Sequence, residues 1–264
     1  MNRRHLNSTD RQISSLGLGT VKFGRNESVK YPTAFELPTD GEILSLLDLA
    51  QEEGINLLDT APAYGSSEER LGKLLGSRRD DWNIVSKAGE NFENSASTYD
   101  FSSKAIRESV EQTLLSLRTD RVECLLLHSD GNDLDILDNS GAVETLFELK
   151  NAGKVLSIGI STKTLAGGQR AIALGLDAVM VTYNPWATSE GEVLDEANVE
   201  GTSVFIKKAL GSGWFGDEEK PADPVETAFR FIFDHPATTS IIVGTINPGH
   251  LRENCATMRR IEKV

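Results

Sequence analysis

With 264 residues, 39% of them hydrophobic and 25% charged, the chain is long enough for one large domain with a sizeable core. Its 27 basic and 40 acidic residues give a net charge of -13, which argues against a nucleic-acid surface and obliges any anionic ligand to find a local positive site. No window approaches the ~18 apolar residues of a membrane span, and Met1-Asn2-Arg3-Arg4-His5 has no apolar run behind it, so a cytoplasmic protein without a membrane partner is expected. Cys124 and Cys255 lie far apart, in an apolar strand and in a helical segment, and read as buried reduced thiols.

Asn7-Ser8-Thr9-Asp10 is a turn signal that predicts a short N-terminal hairpin. Leu16-Gly17-Leu18-Gly19-Thr20 reads as a first strand ending in a glycine-rich turn, and residues 24–40 as a polar loop. Asp40 opens a helix with Ile43, Leu46, Leu47 and Ala50 on one face, and Gly54 closes it. A strand from Ile55 to Leu58 follows, then a helix from Ser67 stopped by Gly76, then a strand from Trp82 to Lys87. Residues 88–101 read as a loop, and Ser102 and Ser103 open a helix with Ile106, Val110, Leu114 and Leu117. The strand Val122 to His128, a loop over 129–138 and a helix over 140–151 come next. Further strands are expected at 155–161, 178–182, 202–207 and 240–243, with helices at 164–174, 190–198, 224–234 and from Pro248 onward. Eight strands, each followed by a helix, imply a parallel sheet and fit a single-domain (β/α)8 TIM barrel spanning residues 1–264. A doubly wound open sheet is the alternative, but Gly17-Leu18-Gly19 lacks the third glycine of a dinucleotide fingerprint and opens no helix.

In a parallel barrel all strands end at one rim. Asp59 follows the second strand, Lys87 ends the third, His128 ends the fourth, and Tyr64 lies on the loop after Asp59. Singly, Lys87 is ordinarily a solvated strand end, His128 a satisfied core histidine, Asp59 a helix cap and Tyr64 a packed ring. Together, at three successive strand ends, they form a candidate catalytic set. An ammonium beside a phenol lowers its pKa from about 10, and a carboxylate holds that ammonium charged and oriented. A histidine nearby can hydrogen-bond a carbonyl oxygen, which makes a tuned general acid over a polarised carbonyl. No nucleophile elbow is present, and His5, His235 and His250 are scattered without partners at metal-ligand spacing. The reductant would have to be a cofactor.

The chain resembles the aldo-keto reductase superfamily over nearly its whole length. The resemblance is carried by Leu16-Gly17-Leu18-Gly19-Thr20, Leu58-Asp59-Thr60-Ala61-Pro62-Ala63-Tyr64-Gly65 with Ser67-Glu68-Glu69-Arg70-Leu71-Gly72, Val85-Ser86-Lys87, Leu126-Leu127-His128, Gly153-Lys154-Val155 with Ile158-Gly159-Ile160-Ser161, and the segment Ile241 to Asn254. It implies a (β/α)8 barrel and NADP(H)-linked reduction of aldehydes or ketones. Tyr64 would be the proton donor, Lys87 and Asp59 its tuning pair, and His128 the carbonyl-orienting residue.

The same resemblance places a cofactor against Thr20, Ser161, Thr162, Met180 and Lys207. Thr162 and Met180 stand where many members have asparagine and glutamine, and Lys207 where many have an aromatic that stacks on the nicotinamide. Leu210, Gly211 and Gly213 belong to a glycine-rich pyrophosphate loop, with Lys207 and Lys208 adding positive charge. Gly244, Thr245, Asn247, His250, Glu253 and Asn254 match an adenosine-phosphate segment at a helix N-terminus, although Gly244 and His250 replace its usual basic pair. NADP(H) is expected, with NAD(H) as the alternative. The sequence stops at Val264, soon after the last helix, so a lightly walled site is expected, with Trp186 and Trp214 as candidate apolar walls. A small-molecule carbonyl substrate and a monomer or weak homo-oligomer complete the expectation. A non-catalytic NADP(H)-sensing subunit, or a sugar or alcohol dehydrogenase working oxidatively, are the other readings.

Overall fold

Short apolar runs alternate with amphipathic segments, and in the computed structural model the runs become eight parallel strands of one closed barrel wrapped by helices. The structure describes residues 1–29, 31, 33–213 and 221–263. Strands β1 (Arg3–His5) and β2 (Gln12–Ser14) form the expected antiparallel hairpin. The barrel then begins with β3 (Leu16–Gly19), followed by the single turn α1 (Val21–Gly24) and α2 (Asp40–Glu52). Next come β4 (Leu57–Asp59), α3 (Ser67–Leu75), β5 (Asn83–Ala88), the strands β6 (Glu90–Glu93) and β7 (Ala96–Tyr99), and α4 (Ser103–Leu117). The chain continues through β8 (Val122–His128), α5 (Asp133–Asn139), α6 (Ala142–Asn151), β9 (Val155–Ser161) and α7 (Leu165–Ala173). It ends with β10 (Ala178–Thr182), α8 (Gly191–Glu200), β11 (Ser203–Lys207), α9 (Pro224–Phe233), β12 (Thr238–Val243) and α10 (Pro248–Ile261).

Around the barrel the order is β3-β4-β5-β8-β9-β10-β11-β12, with β12 returning to β3 through Ile241 opposite Leu16. Helix starts are set by side chains that accept first-turn N–H groups. Thr39 and Glu42 form a reciprocal capping box on α2, while Ser102, Thr164, Asp223 and Asn247 cap α4, α7, α9 and α10.

The core has two layers. Between helices and strands lie residues such as Phe23, Ile43, Trp82, Val110, Leu146, Ile206 and Phe229. Inside the barrel, Leu57, Val85, Leu126, Met180 and Phe205 pack with Leu6 and Ile13 of the N-terminal hairpin. The hairpin thus plugs the barrel floor, opposite the rim where the strands end. Cys124 and Cys255 are free and buried, as expected. Among the described residues, no helix is long and apolar enough to cross a membrane.

Three segments differ from expectation. Residues 88–101 contain β6 and β7 rather than a plain loop; Asn94 and Ser95, at φ 50° and 61°, make the two-residue left-handed turn that joins them. Residues 129–138 contain most of α5, whose apolar positions are too few and its first turn too acidic to show a helical stripe. The second barrel strand starts at Leu57 rather than Ile55.

A buried ion pair locks the lower barrel. Glu123 Oε2 accepts from Arg79 Nη2 at 2.9 Å and from the Ile84 N–H at 2.7 Å, and both side chains are largely enclosed. Glu123→Ala leaves the Arg79 cation without its anion and is expected to cost about 3–5 kcal/mol, read as a lower urea midpoint at unchanged slope.

Candidate active site

The strand register brings the polar strand ends together. Asp59 pairs with Val85, two residues before Lys87, and Lys87 pairs with Leu126, two before His128. Lys87 Nζ lies 2.5 Å from Asp59 Oδ1, 2.9 Å from Thr60 O and 3.1 Å from the Tyr64 hydroxyl. The phenol is also 3.5 Å from Asp59 Oδ2, and its ring meets His128 edge-on at 6.2 Å. Tyr64 sits at the end of a 3-10 turn, Pro62–Tyr64. That turn is held by two backbones in contact. A Cβ on Gly65, at φ +62°, would lie 2.2 Å from Gly24 O, and one on Gly24 would lie 2.4 Å from Tyr64 O. Only glycine at both places lets the turn approach α1 closely enough to aim the phenol at Lys87.

The electrostatics depart from the simple expectation. Burial opposes the charge on Lys87, but Asp59 and Tyr64 outweigh it and hold the ammonium well above its ordinary value. Tyr64 moves up rather than down: burial and the Asp59 carboxylate raise its pKa, and Lys87 only partly offsets them. The expected acidic phenol is therefore corrected to a firmly protonated one that donates while Lys87 approaches its oxygen. Burial also lowers His128 below the usual histidine value, against the pull of Glu90.

These groups open into a cavity of about 1100 Å³, lined by Asp59, Tyr64, Lys87 and His128. Its size exceeds the ~300–1,000 Å³ typical of small-ligand pockets and leaves room for a dinucleotide beside a small substrate. Ser161, Met180, Lys207, Leu210 and Gly213 line the same cavity, as do Gly244, Thr245, His250, Glu253 and Asn254. Lys207 Nζ donates to Ser161 Oγ at 2.9 Å and to Thr162 O at 2.5 Å, and burial pushes its pKa down to about 7. Lys208, Gly211, Ser212 and Gly213 all adopt positive φ, a run of left-handed backbone suited to an anion-binding concavity.

Three expected cofactor residues, Thr20, Thr162 and Asn247, do not line the cavity. Thr20 is buried behind the wall, donating to Asp59 O at 2.9 Å. Thr162 is buried with its hydroxyl on Glu190 Oε1 at 2.7 Å. Gly211 turns the loop between the lining residues Leu210 and Ser212. Asn247 caps α10, accepting the Gly249 and His250 N–H groups at 2.8 and 3.4 Å. That cap also spends donors expected to meet a phosphate, so an adenosine phosphate would rely on side chains such as Thr245 and His250 and on the helix dipole.

Trp186 packs against the outer core and is not among the cavity-lining residues, and Trp214 lies outside the described residues. Two segments shape the mouth: residues 24–40 contribute Arg25, Ser28, Tyr31 and Thr33, and the β6–β7 hairpin contributes Glu90, Ser97 and Tyr99. Residues 129–138 add only Ser129. Glu90 and Tyr31 escaped the sequence reading. Only Glu90 had a usable signal, its position opening an Asn-Ser hairpin directly after a rim strand. Among the described residues, no group of three acidic, histidine or cysteine side chains is placed to hold a metal.

Comparison with known proteins agrees with this geometry. The profile of the "Aldo/keto reductase family" matches residues 15–227. The chain is 34% identical to the uncharacterized oxidoreductase YqkF of Bacillus subtilis, over 99% of this chain and 93% of that protein. It is 29% identical to a D-threo-aldose 1-dehydrogenase of a Pseudomonas species, over 80% and 70%. A Pseudomonas aeruginosa crystal structure, described as a candidate aldo-keto reductase, superposes with a TM-score of 0.89 at 48% identity, over 98% of this chain and 95% of that one.

Proposed function

The chain belongs to the aldo/keto reductase family of oxidoreductases, and from that premise we infer that it is an NADP(H)-dependent reductase of aldehydes or ketones. The observation that carries this reading is the Lys87 ammonium bridging Asp59 and the Tyr64 hydroxyl at the edge of a dinucleotide-sized cavity. A bound dihydronicotinamide would supply the hydride to the carbonyl carbon. Tyr64 gives its proton to the carbonyl oxygen as charge builds there, and the Lys87 N–H stabilises the phenolate left behind. Asp59 fixes the position and charge of Lys87. His128 faces the substrate from the neighbouring strand end.

Ser161, Lys207, Thr245 and His250 line the cavity and the 208–213 loop carries left-handed backbone, which supports a reading in which Ser161 and Lys207 would meet the carboxamide end of such a cofactor, the loop its pyrophosphate, and Thr245 and His250 its adenosine phosphate. NADPH is expected to bind more tightly than NADH. Titrating each against quenching of protein fluorescence tests this, and equal or reversed affinities overturn the preference.

The oxidative reading is favoured by the likeness to an aldose dehydrogenase. Direction can be read from pH. Tyr64 is held protonated, so the acid needed for reduction stays available through neutral pH and is lost only as the medium passes above the phenol's raised pKa. Oxidation needs the deprotonated form, so its rate is expected to climb with pH. Initial rates in both directions between about pH 6 and 10 check the sign; an oxidation rate that falls across this span contradicts it.

A further inference from the structure

Two of the lysines lining the catalytic cavity stand on opposite sides of the barrel, Lys87 on β5 and Lys207 at the end of β11. Their surroundings differ in kind. Lys87 Nζ rests on the Asp59 carboxylate at 2.5 Å and is held charged. Lys207 Nζ meets two neutral acceptors, Ser161 Oγ at 2.9 Å and Thr162 O at 2.5 Å, and among the described residues it has no ion-pair partner. The acids whose charge reaches it are turned to other donors. Glu190 Oε1 accepts from the Thr162 hydroxyl at 2.7 Å, and its Oε2 from the Thr182 N–H at 2.8 Å. Asp133 Oδ2 accepts from the N–H groups of Lys163 and Thr164 at 2.9 and 2.8 Å. Lys208 and Lys87 oppose a charge on Lys207, and His128 feels that charge from the end of β8. An ammonium has three N–H donors, whereas a neutral amine has two and a lone pair. Two acceptors for Lys207 Nζ therefore match the neutral amine and fall one short for the cation. Burial acts in the same direction and pushes its pKa down to about 7, against the pull of Glu190 and Asp133.

We propose that Lys207 is a nucleophilic amine at which small aldehydes entering the cavity condense to an imine, a covalent modification site distinct from the Tyr64 proton donor. The Nζ lone pair adds to the aldehyde carbon, and the carbonyl oxygen leaves as water with the two amine hydrogens. A C=N bond replaces the C=O bond, and nothing is oxidised or reduced. A desolvated lysine beside other cations is the form of this side chain suited to such chemistry. Lys87 cannot follow the same route, because its ammonium has no lone pair to offer. The proposal stands without the reductase reading. Where that reading holds, an imine on Lys207 takes up ground that the cofactor needs, so aldehyde and cofactor exclude one another there.

The test treats the full chain at pH 7 with propionaldehyde and cyanoborohydride, which reduces an imine to a stable secondary amine, and locates the modified lysines by peptide mass spectrometry. Lys207 is expected to be labelled at least about tenfold faster than any other lysine, because an ordinary lysine is almost wholly protonated at this pH. That advantage should shrink as the pH is raised towards about 10, where the other lysines lose their protons too. Lys207→Met should remove the fast label and leave the slow labelling of the other lysines as it was. Labelling of Lys207 no faster than the rest, or Lys87 labelled first, overturns the proposal. NADPH is expected to slow the labelling of Lys207. Fast labelling that NADPH leaves unchanged upholds the imine and counts instead against a cofactor lying over Lys207.

Discussion

Tyr64→Phe is expected to lower kcat for carbonyl reduction by about 10²–10⁴-fold and to leave NADPH affinity unchanged. The substitution deletes one oxygen and keeps the ring. Lys87 retains Asp59 and Thr60 O as partners at 2.5 and 2.9 Å, so no buried cation is orphaned and the fold is undisturbed. The loss therefore falls on proton transfer. Lys87 must stay charged to stabilise the phenolate, and Asp59 is bound to it, so neither takes the proton's place. Rates from nicotinamide absorbance, with cofactor affinity from fluorescence, separate chemistry from binding, and undiminished turnover in the variant would reject Tyr64 as the acid.

Lys87→Met has two large consequences. The phenol loses the cation that offsets burial and Asp59, so its conjugate base becomes still harder to form and turnover is expected to fall by about 10²-fold or more. The second effect is on stability. Lys87 is 1% exposed and Asp59 4%, so removing the lysine strands a buried carboxylate at a cost of about 3–5 kcal/mol. The double variant Lys87→Met with Asp59→Asn removes both charges and is expected to recover most of the stability and none of the activity. The pH dependence has a definite sign. The Lys87 pKa is raised in the fold, so its contribution is fully present below the unfolded-lysine value near 10.4 and is lost as pH climbs through the folded value. The stability gap between wild type and Lys87→Met should therefore hold across neutral pH and narrow only in strong alkali. Equal urea midpoints at pH 7 would contradict the buried pair.

Much of this arrangement is legible in the sequence because barrel topology turns strand ends into neighbours. Once the alternation of strands and helices is counted, Asp59, Lys87 and His128 must share a rim, and their register follows from strand length. The N-terminal hairpin is readable from its turn residues. What escaped depended on segments whose pattern is too short to show a period. The four-residue strand Glu90–Glu93 is partly exposed and half acidic, so its pairing, and with it the approach of Glu90 to His128, has no hydrophobic signature. The direction of the Tyr64 shift also escaped. A sequence puts a cation and an anion near a phenol but does not give the depth of burial, and here burial decides the sign. Asn247 is similar. Its position before Pro248 suits phosphate binding and helix capping alike, and only the distances to Gly249 and His250 show that it caps.

The central claim is that this cavity couples a nicotinamide to proton delivery by Tyr64. The most direct measurement mixes the full chain with NADPH and a panel of aldehydes and ketones, following loss of nicotinamide absorbance while counting the alcohol formed. One alcohol per NADPH consumed, with both lost in Tyr64→Phe, is the predicted result. Tight NADPH binding with no consumption against any carbonyl would contradict it and leave a protein that binds the cofactor without using it.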